Sequence, residues 1–404
     1  MLARNRRQAR RPPSTYKSGA NAIALPHPAL ISLVAGRTLP PISDPSELVR
    51  SALEHHVAGL LWTRVTAVDL QLGQSYADEL MQEDIRTWGR HQLLWDGLVK
   101  VTRRLERMGV HVASAKGVTA EARWYERAGE RPCFDVDLLL SPDEIGRVGE
   151  IVAALTPEHP LRDSIQELVD RGALQSVDLF VDGVPVDLHI DLLKFELIAS
   201  RQRHVIWERI VPFRLPDGST LRVIDPEVSL IHFLVHLNKD RFAYLLGYSD
   251  VARVCAKENL DWEFIDRFVR GEGIESQVYL ALDAVLGTLG LDPPPHPAVH
   301  GWRGSVWRRL WAPPLRLRGD VGRMRSRQRQ FWLAFTARSR SAEAIRGYVR
   351  RLFPPPALAV YQAPGTRGPY LWRILAGRVQ NALRRRQMIA TLEDAEAARA
   401  RARN

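Results

Sequence analysis

The chain is poor in cysteine, with only Cys133 and Cys255 among 404 residues. Two isolated thiols supply neither a disulfide framework nor the paired spacing of a zinc site, so their expected place is the core of a reduced, cytoplasmic protein. Long hydrophobic runs are missing as well. No apolar stretch reaches the ~18 residues a membrane helix needs, and the arginine-rich start is not followed by the apolar segment of a signal peptide. Internal repeats and long low-complexity tracts are also lacking, which sets repeat architectures aside. Lysine is absent from residues 301–404, where 23 arginines face five acidic residues. The first 20 residues add six cations and no acid, so the overall charge of +11 conceals an acidic middle. Such segregation fits a tail that contacts nucleic acid, a tail drawn to the acidic body, or a polyanionic substrate. The arginines are interleaved with Trp, Leu and Pro as in packed structure, fall on no single helical face and carry no nucleic-acid recognition motif, so neither nucleic acid nor a membrane surface is the favoured partner.

What is present reads as several units. Residues 1–20 are basic, proline-containing and expected to be disordered. From 45 to 110 the apolar spacing is helical, in SDPSELVRSALEHHVAGLLWTRV and again in TWGRHQLLWDGLVKVTRRLERMG. The period then changes. HVASA is a short strand, Lys116-Gly117 a turn, VTAEARWYERAG a helix, FDVDLLL a strand and SPDEIGRVGEIVAAL a capped helix. SVDLFVDGVPVDLHI gives two alternating runs joined at Asp182-Gly183, the pattern of a tight hairpin. Residues 111–215 are therefore the expected mixed α/β core. Helices resume over 226–292, in DPEVSLIHFLVHLNK, SDVARVCAKEN and the run from 261 to 290. The prolines at 293–297 mark a boundary, and 300–404 form an Arg-rich, mainly helical region broken by prolines between 353 and 370.

Asp135 and Asp137, two apart in an apolar strand, point to one face, where two carboxylates can hold Mg²⁺ and through it phosphates. Asp187 and His189 share a face of the second hairpin strand, and a third carboxylate there would complete a site for two ions. Asp191 joins that face if the strand persists. Lys116-Gly117, between strand and helix, can offer backbone N–H groups and a point charge to phosphate oxygens. Arg131 either neutralises a phosphate or forms a salt bridge to a surface acid. His189 can orient Asp187, contact substrate or serve as a hydrogen-bonded structural histidine. His232 and His236 lie four apart on a helix without an H-E-x-x-H pattern, which favours packing against the core. Lys239 and Arg241, at the end of that helix, can reach a nucleotide or its acceptor.

AKGVTAEARWYERAGERPCFDVDLLLSPDEIGRV, VPVDLHIDLL and LIHFLVHLNKDRFAYLLGYSDVARVCAKENLDWEFI, in that order, resemble an uncharacterised bacterial nucleotidyltransferase family often found beside natural-product and polysaccharide genes. It belongs to the superfamily with the polymerase-beta-type catalytic fold. The resemblance spans about residues 50–375. Its most specific parts are KG, then R-x-x-x-D-x-D-L-L, then V-D-L-H. It implies an α+β fold, a small mixed sheet surrounded by N-terminal and C-terminal helical regions. It further implies that Asp135, Asp137 and Asp187 are catalytic metal ligands for Mg²⁺ or Mn²⁺. Lys116 and Gly117 fall where the superfamily places a Gly-Ser turn on the triphosphate, so the phosphate grip departs from the wider pattern while the acids match it. The implied activity moves a nucleoside monophosphate from an NTP, with ATP the expected donor, to an unidentified acceptor on a small molecule or protein. The alternative is a non-catalytic scaffold that binds RNA or a partner through the Arg-rich C-terminal region.

Overall fold

The computed structural model describes residues 25–68, 72–193, 200–215, 218–240 and 242–299. Four helices come first: α1 (Pro28–Val34), α2 (Pro45–Glu54), α3 (Ala58–Ala67) and α4 (Gln74–Arg107). There follow β1 (Val112–Ser114), α5 (Val118–Trp124), β2 (Val136–Leu140), α6 (Val148–Leu155), α7 (Ile165–Asp170), β3 (Ser176–Val181) and β4 (Val184–His189). The described chain continues with α8 (Arg203–Glu208), β5 (Ile210–Arg214), β6 (Thr220–Ile224), α9 (Pro226–Lys239), α10 (Leu245–Lys257), α11 (Trp262–Glu272) and α12 (Glu275–Leu289). The expected Arg-rich helical region at 300–404 and the basic start at 1–20 lie outside the described residues.

The six strands form one mixed sheet in the order β3-β4-β2-β1-β6-β5. β2 runs parallel to β4 and antiparallel to β1, while β1 runs parallel to β6. The β3–β4 hairpin forms as expected, because Asp182 and Gly183 both adopt the positive φ its two-residue turn requires. β5 and β6 were not anticipated, and they carry the sheet to Ile224. Pro212 inside β5 weakens any strand signal, and it is tolerated because β5 sits at the sheet edge.

Alternation along β2 and β4 divides the sheet into two faces. Val136, Leu138 and Leu140 of β2, with Val184, Val186 and Leu188 of β4, pack against α4, α6 and α7 in one apolar core. Burial of each such side chain is worth about 1.5–3 kcal/mol. The opposite face carries Asp137, Leu139, Asp187 and His189 and lies toward a second core built mainly from α1–α3 and α9–α12. The fold is thus α+β, a small mixed-sheet nucleotidyltransferase core of polymerase-beta type flanked by helices.

Helix ends correct several expected boundaries. Asp44 and Asp225 cap α2 and α9 by accepting from Glu47 N and Val228 N, at 3.0 and 2.8 Å. The pattern read as continuous from 43 to 65 breaks at His56, which takes a φ of +59°. Gly273, at φ +67°, likewise splits the expected 261–290 helix into α11 and α12. The helix expected to reach 129 stops at Trp124, and the following loop folds back on the Glu121 carboxylate through Gly129 N and Arg131 N, at 2.7 and 2.9 Å.

Candidate active site

The register of two parallel strands sets the site. Asp137 of β2 stands opposite Asp187 of β4. His189, two residues along β4, falls on the same face, with Nε2 2.9 Å from Asp137 Oδ1 and 3.4 Å from Asp187 Oδ2. Lys116, from the turn after β1, closes the group with Nζ 3.2 Å from Asp137 Oδ1. Asp137 and His189 are fully buried, whereas the Asp187 side chain keeps 16% exposure and opens the cluster to one side.

The Lys116 turn is laced to both neighbouring elements. Ala115 N donates to Asp137 O at 3.1 Å, and Thr119 Oγ1 donates to Lys116 O at 3.0 Å, leaving its oxygen to accept from Ser114 Oγ at 2.9 Å. Gly117 has φ +66°, and a Cβ there would lie 3.3 Å from Asp135 O and 3.4 Å from Asp137 Oδ2. The positive φ calls for glycine, and an added Cβ would be tight against the Asp135 carbonyl and in ordinary contact with the Asp137 carboxylate. Ser114 and Thr119, which the sequence reading did not single out, are the side chains that fix this turn.

Electrostatics follow from packing two carboxylates and an ammonium out of water. Burial alone pushes Asp137 up, but Lys116 and the His189 hydrogen bond outweigh it and hold the carboxyl far below its ordinary range. Burial alone pushes Lys116 down, yet Asp137, then Asp135 and Asp187, keep its ammonium above the usual lysine value. Both groups are charged at neutral pH. Burial, followed by the nearby Lys116 charge, drives His232 well below the ordinary histidine value, so its ring is neutral.

The remaining candidate residues divide. Asp135 sits half-buried just ahead of β2, close enough to act on Lys116 but outside the close-set group of Asp137, Asp187 and His189. Arg131 is engaged elsewhere. Its Nε and Nη2 make paired 2.8 Å bonds to the two oxygens of Asp250 on α10, and Tyr125 Oη donates to Asp250 Oδ1 at 2.7 Å. Arg131 pairs with an acid, though with a buried one 119 residues away rather than the surface acid expected. Asp191 lies beyond the end of β4, wholly buried, and accepts from Leu193 N at 3.2 Å and from Ser200 N. It does not extend the acidic face. Lys239 ends α9, exposed, while Arg241 lies outside the described residues.

α9 roofs the carboxylate face. His232 Nδ1 donates to Leu192 O at 3.1 Å, and its ring meets that of His189 nearly edge-on at 6.4 Å. His236 pairs with Asp240 at 2.9 Å. These histidines pack as expected of a structural pair. At the rim, His56 packs at a tilt against Tyr244, 4.7 Å between ring centres, and meets Phe134, whose face carries Arg90. No spacing in the sequence announces this rim, because its members come from four separate segments. Cys133 is buried and Cys255 half-buried against the helical core, and burial pushes both thiols up to about 12, away from the thiolate form.

The donor chemistry fits a divalent cation. One ligand atom each from Asp137, Asp187 and His189 lie within 4.8 Å of one another, and His189 Nδ1 is buried with no hydrogen-bond partner among the described residues. The mixed sheet presents carboxylates from neighbouring parallel strands beside a lysine and a glycine turn. The chain belongs to a family described as uncharacterised nucleotidyltransferase, whose model matches residues 41–286. Neither a curated protein nor a solved structure matches the chain significantly. Among the described residues, no helix is long and apolar enough to cross a membrane.

Proposed function

We propose that the chain transfers a nucleoside monophosphate from an NTP, with ATP the first donor to test, to a hydroxyl or phosphate of a small-molecule or protein acceptor, releasing pyrophosphate. The observation that carries this reading is the pairing of Asp137 with Asp187 across β2 and β4, with Lys116 set against Asp137. In the reaction the acceptor oxygen bonds to the α-phosphorus as the bond to the bridging β-phosphate oxygen breaks, and pyrophosphate leaves with that electron pair. Asp137 and Asp187, with Asp135 at the edge, would hold a Mg²⁺ or Mn²⁺ ion, which would supply charge neutralisation on the phosphates and a lowered pKa for the attacking hydroxyl.

The protein's own groups do the rest. Asp187, the more exposed of the paired carboxylates, receives the acceptor proton. Lys116 and Gly117 border the triphosphate, and Lys239 at the end of α9 is a further cation on its path. Burial of Asp137 and His189 keeps water from competing and strengthens each charge interaction. In this reading residues 111–215 form the catalytic core, with β6 completing its sheet. The helical regions 45–110 and 226–292 shape the acceptor site.

The test is transfer of label from NTPs to acceptors in a cell extract, using donors labelled at either the α- or the γ-phosphate. Label arriving from the α-position only, and lost with Asp187→Asn, is the expected result. Label from the γ-position would make the protein a kinase. No transfer, together with salt-dependent RNA binding, would favour the scaffold reading of the Arg-rich C-terminal region.

A further inference from the structure

Building on the nucleotidyl-transfer reading, we propose that His189 is itself a ligand of the divalent ion and makes the centre favour manganese-like ions over magnesium. The first support is spacing. Two ligands at right angles around an ion with bonds of about 2.1 Å lie about 3.0 Å apart. His189 Nε2 stands 2.9 Å from an Asp137 oxygen and 3.4 Å from an Asp187 oxygen, close to the separation of neighbouring ligands, and one ligand atom from each of the three residues lies within 4.8 Å of the others. Asp135, the acid that the DxD pattern nominates as a partner of Asp137, is not in this close-set group.

The second support is the surroundings of Nε2. Without an ion, Nε2–H donates to the ionised Asp137 carboxylate at 2.9 Å. His189 Nδ1 is buried with no partner among the described residues, so only the Nε2 end sets the tautomer. An ion between the carboxylates takes the place of that proton, which moves to Nδ1, and the Nε2 lone pair then faces the gap between Asp137 and Asp187. The ring is closely surrounded. It is 2% exposed, lies on β4 and abuts the edge of His232.

The selectivity follows from the donors. Magnesium takes oxygen ligands and holds its waters, whereas imidazole nitrogen suits first-row transition ions. A set of one nitrogen and two carboxylates therefore shifts preference toward the latter, with manganese the member closest to magnesium in size and charge.

Pulsed electron paramagnetic resonance on the full-length protein loaded with Mn²⁺ reads the ligand directly. Nitrogen modulation is expected in the wild type, and its pattern should change when the protein is grown with isotopically labelled histidine, an experiment that needs no substitution. His189→Gln should abolish the modulation and weaken Mn²⁺ binding by at least about tenfold, with a smaller effect on Mg²⁺. Mn²⁺ bound without nitrogen modulation but lost in Asp137→Asn would overturn the ligand role and leave the nucleotidyl-transfer reading standing. A nitrogen-ligated ion in a protein that transfers nucleotide from no NTP would do the reverse. No Mn²⁺ bound at all would overturn the proposal.

Discussion

Two buried ionic clusters lie on either side of the segment that leads into β2, and they are built on opposite principles. At Arg131 one guanidinium meets one carboxylate through two 2.8 Å bonds, with Tyr125 donating a third. At Asp137 one ammonium pairs with one carboxylate at 3.2 Å while Asp135 and Asp187 add negative charge nearby, and a buried imidazole nitrogen has no partner among the described residues. The first arrangement is closed in charge and geometry, and it ties the loop before β2 to α10. The second carries an excess of negative charge that a cation would complete. A satisfied buried pair fixes structure, whereas a carboxylate surplus held in place by a stiff sheet is poised for a ligand.

This contrast predicts opposite mutational signatures. Asp137→Asn should lower metal-dependent nucleotide transfer by at least about 10³-fold, as loss of a preorganised charge contact does. Its stability loss should be the smaller of the two, because Lys116 keeps Asp135 and Asp187 as neighbours. Asp250→Ala should cost about 3–5 kcal/mol in denaturant unfolding, because the buried guanidinium is left without its carboxylate. Activity per folded molecule should survive it. Equal effects of the two substitutions on both readouts would erase the distinction.

A smaller effect separates the clusters by pH. Burial lowers His56 to about 4 and takes His232 well below its ordinary value. In the unfolded chain both take up protons near pH 6.5, so between about pH 6.5 and 4 the unfolded state binds more protons and stability drops as the pH is lowered. Asp137, held low in the fold, adds its own loss only below about pH 4, where the unfolded carboxyl protonates. Denaturant unfolding at pH 7.5 and 5 should show the histidine-driven loss, and His56→Gln should reduce it.

Much of the site could be read from the sequence because its signals are local. Alternation placed Asp137 and Asp187 on strand faces, Asp182-Gly183 announced the hairpin, and the order KG, DxD, VDLH carried the family resemblance. What escaped depends on distant contacts. Arg131 finds Asp250 on a helix of the other core, and the end of α5 is set by a loop closing on Glu121. The break at His56 has no glycine or proline to mark it, and β5 hides its strand character behind Pro212 at the sheet edge. The close partner of the acids was also displaced, since register across β2 and β4 brings His189 nearer than Asp135.

The most direct measurement is calorimetric titration with ATP, GTP, CTP and UTP, each with and without divalent metal, comparing wild type with Asp135→Ala/Asp137→Ala. Metal-dependent binding of at least one nucleotide that disappears in the folded double variant is the predicted result. Nucleotide binding that persists without metal and without both acids, or none by the folded wild type, would contradict the assignment of this carboxylate cluster as a nucleotidyltransferase centre.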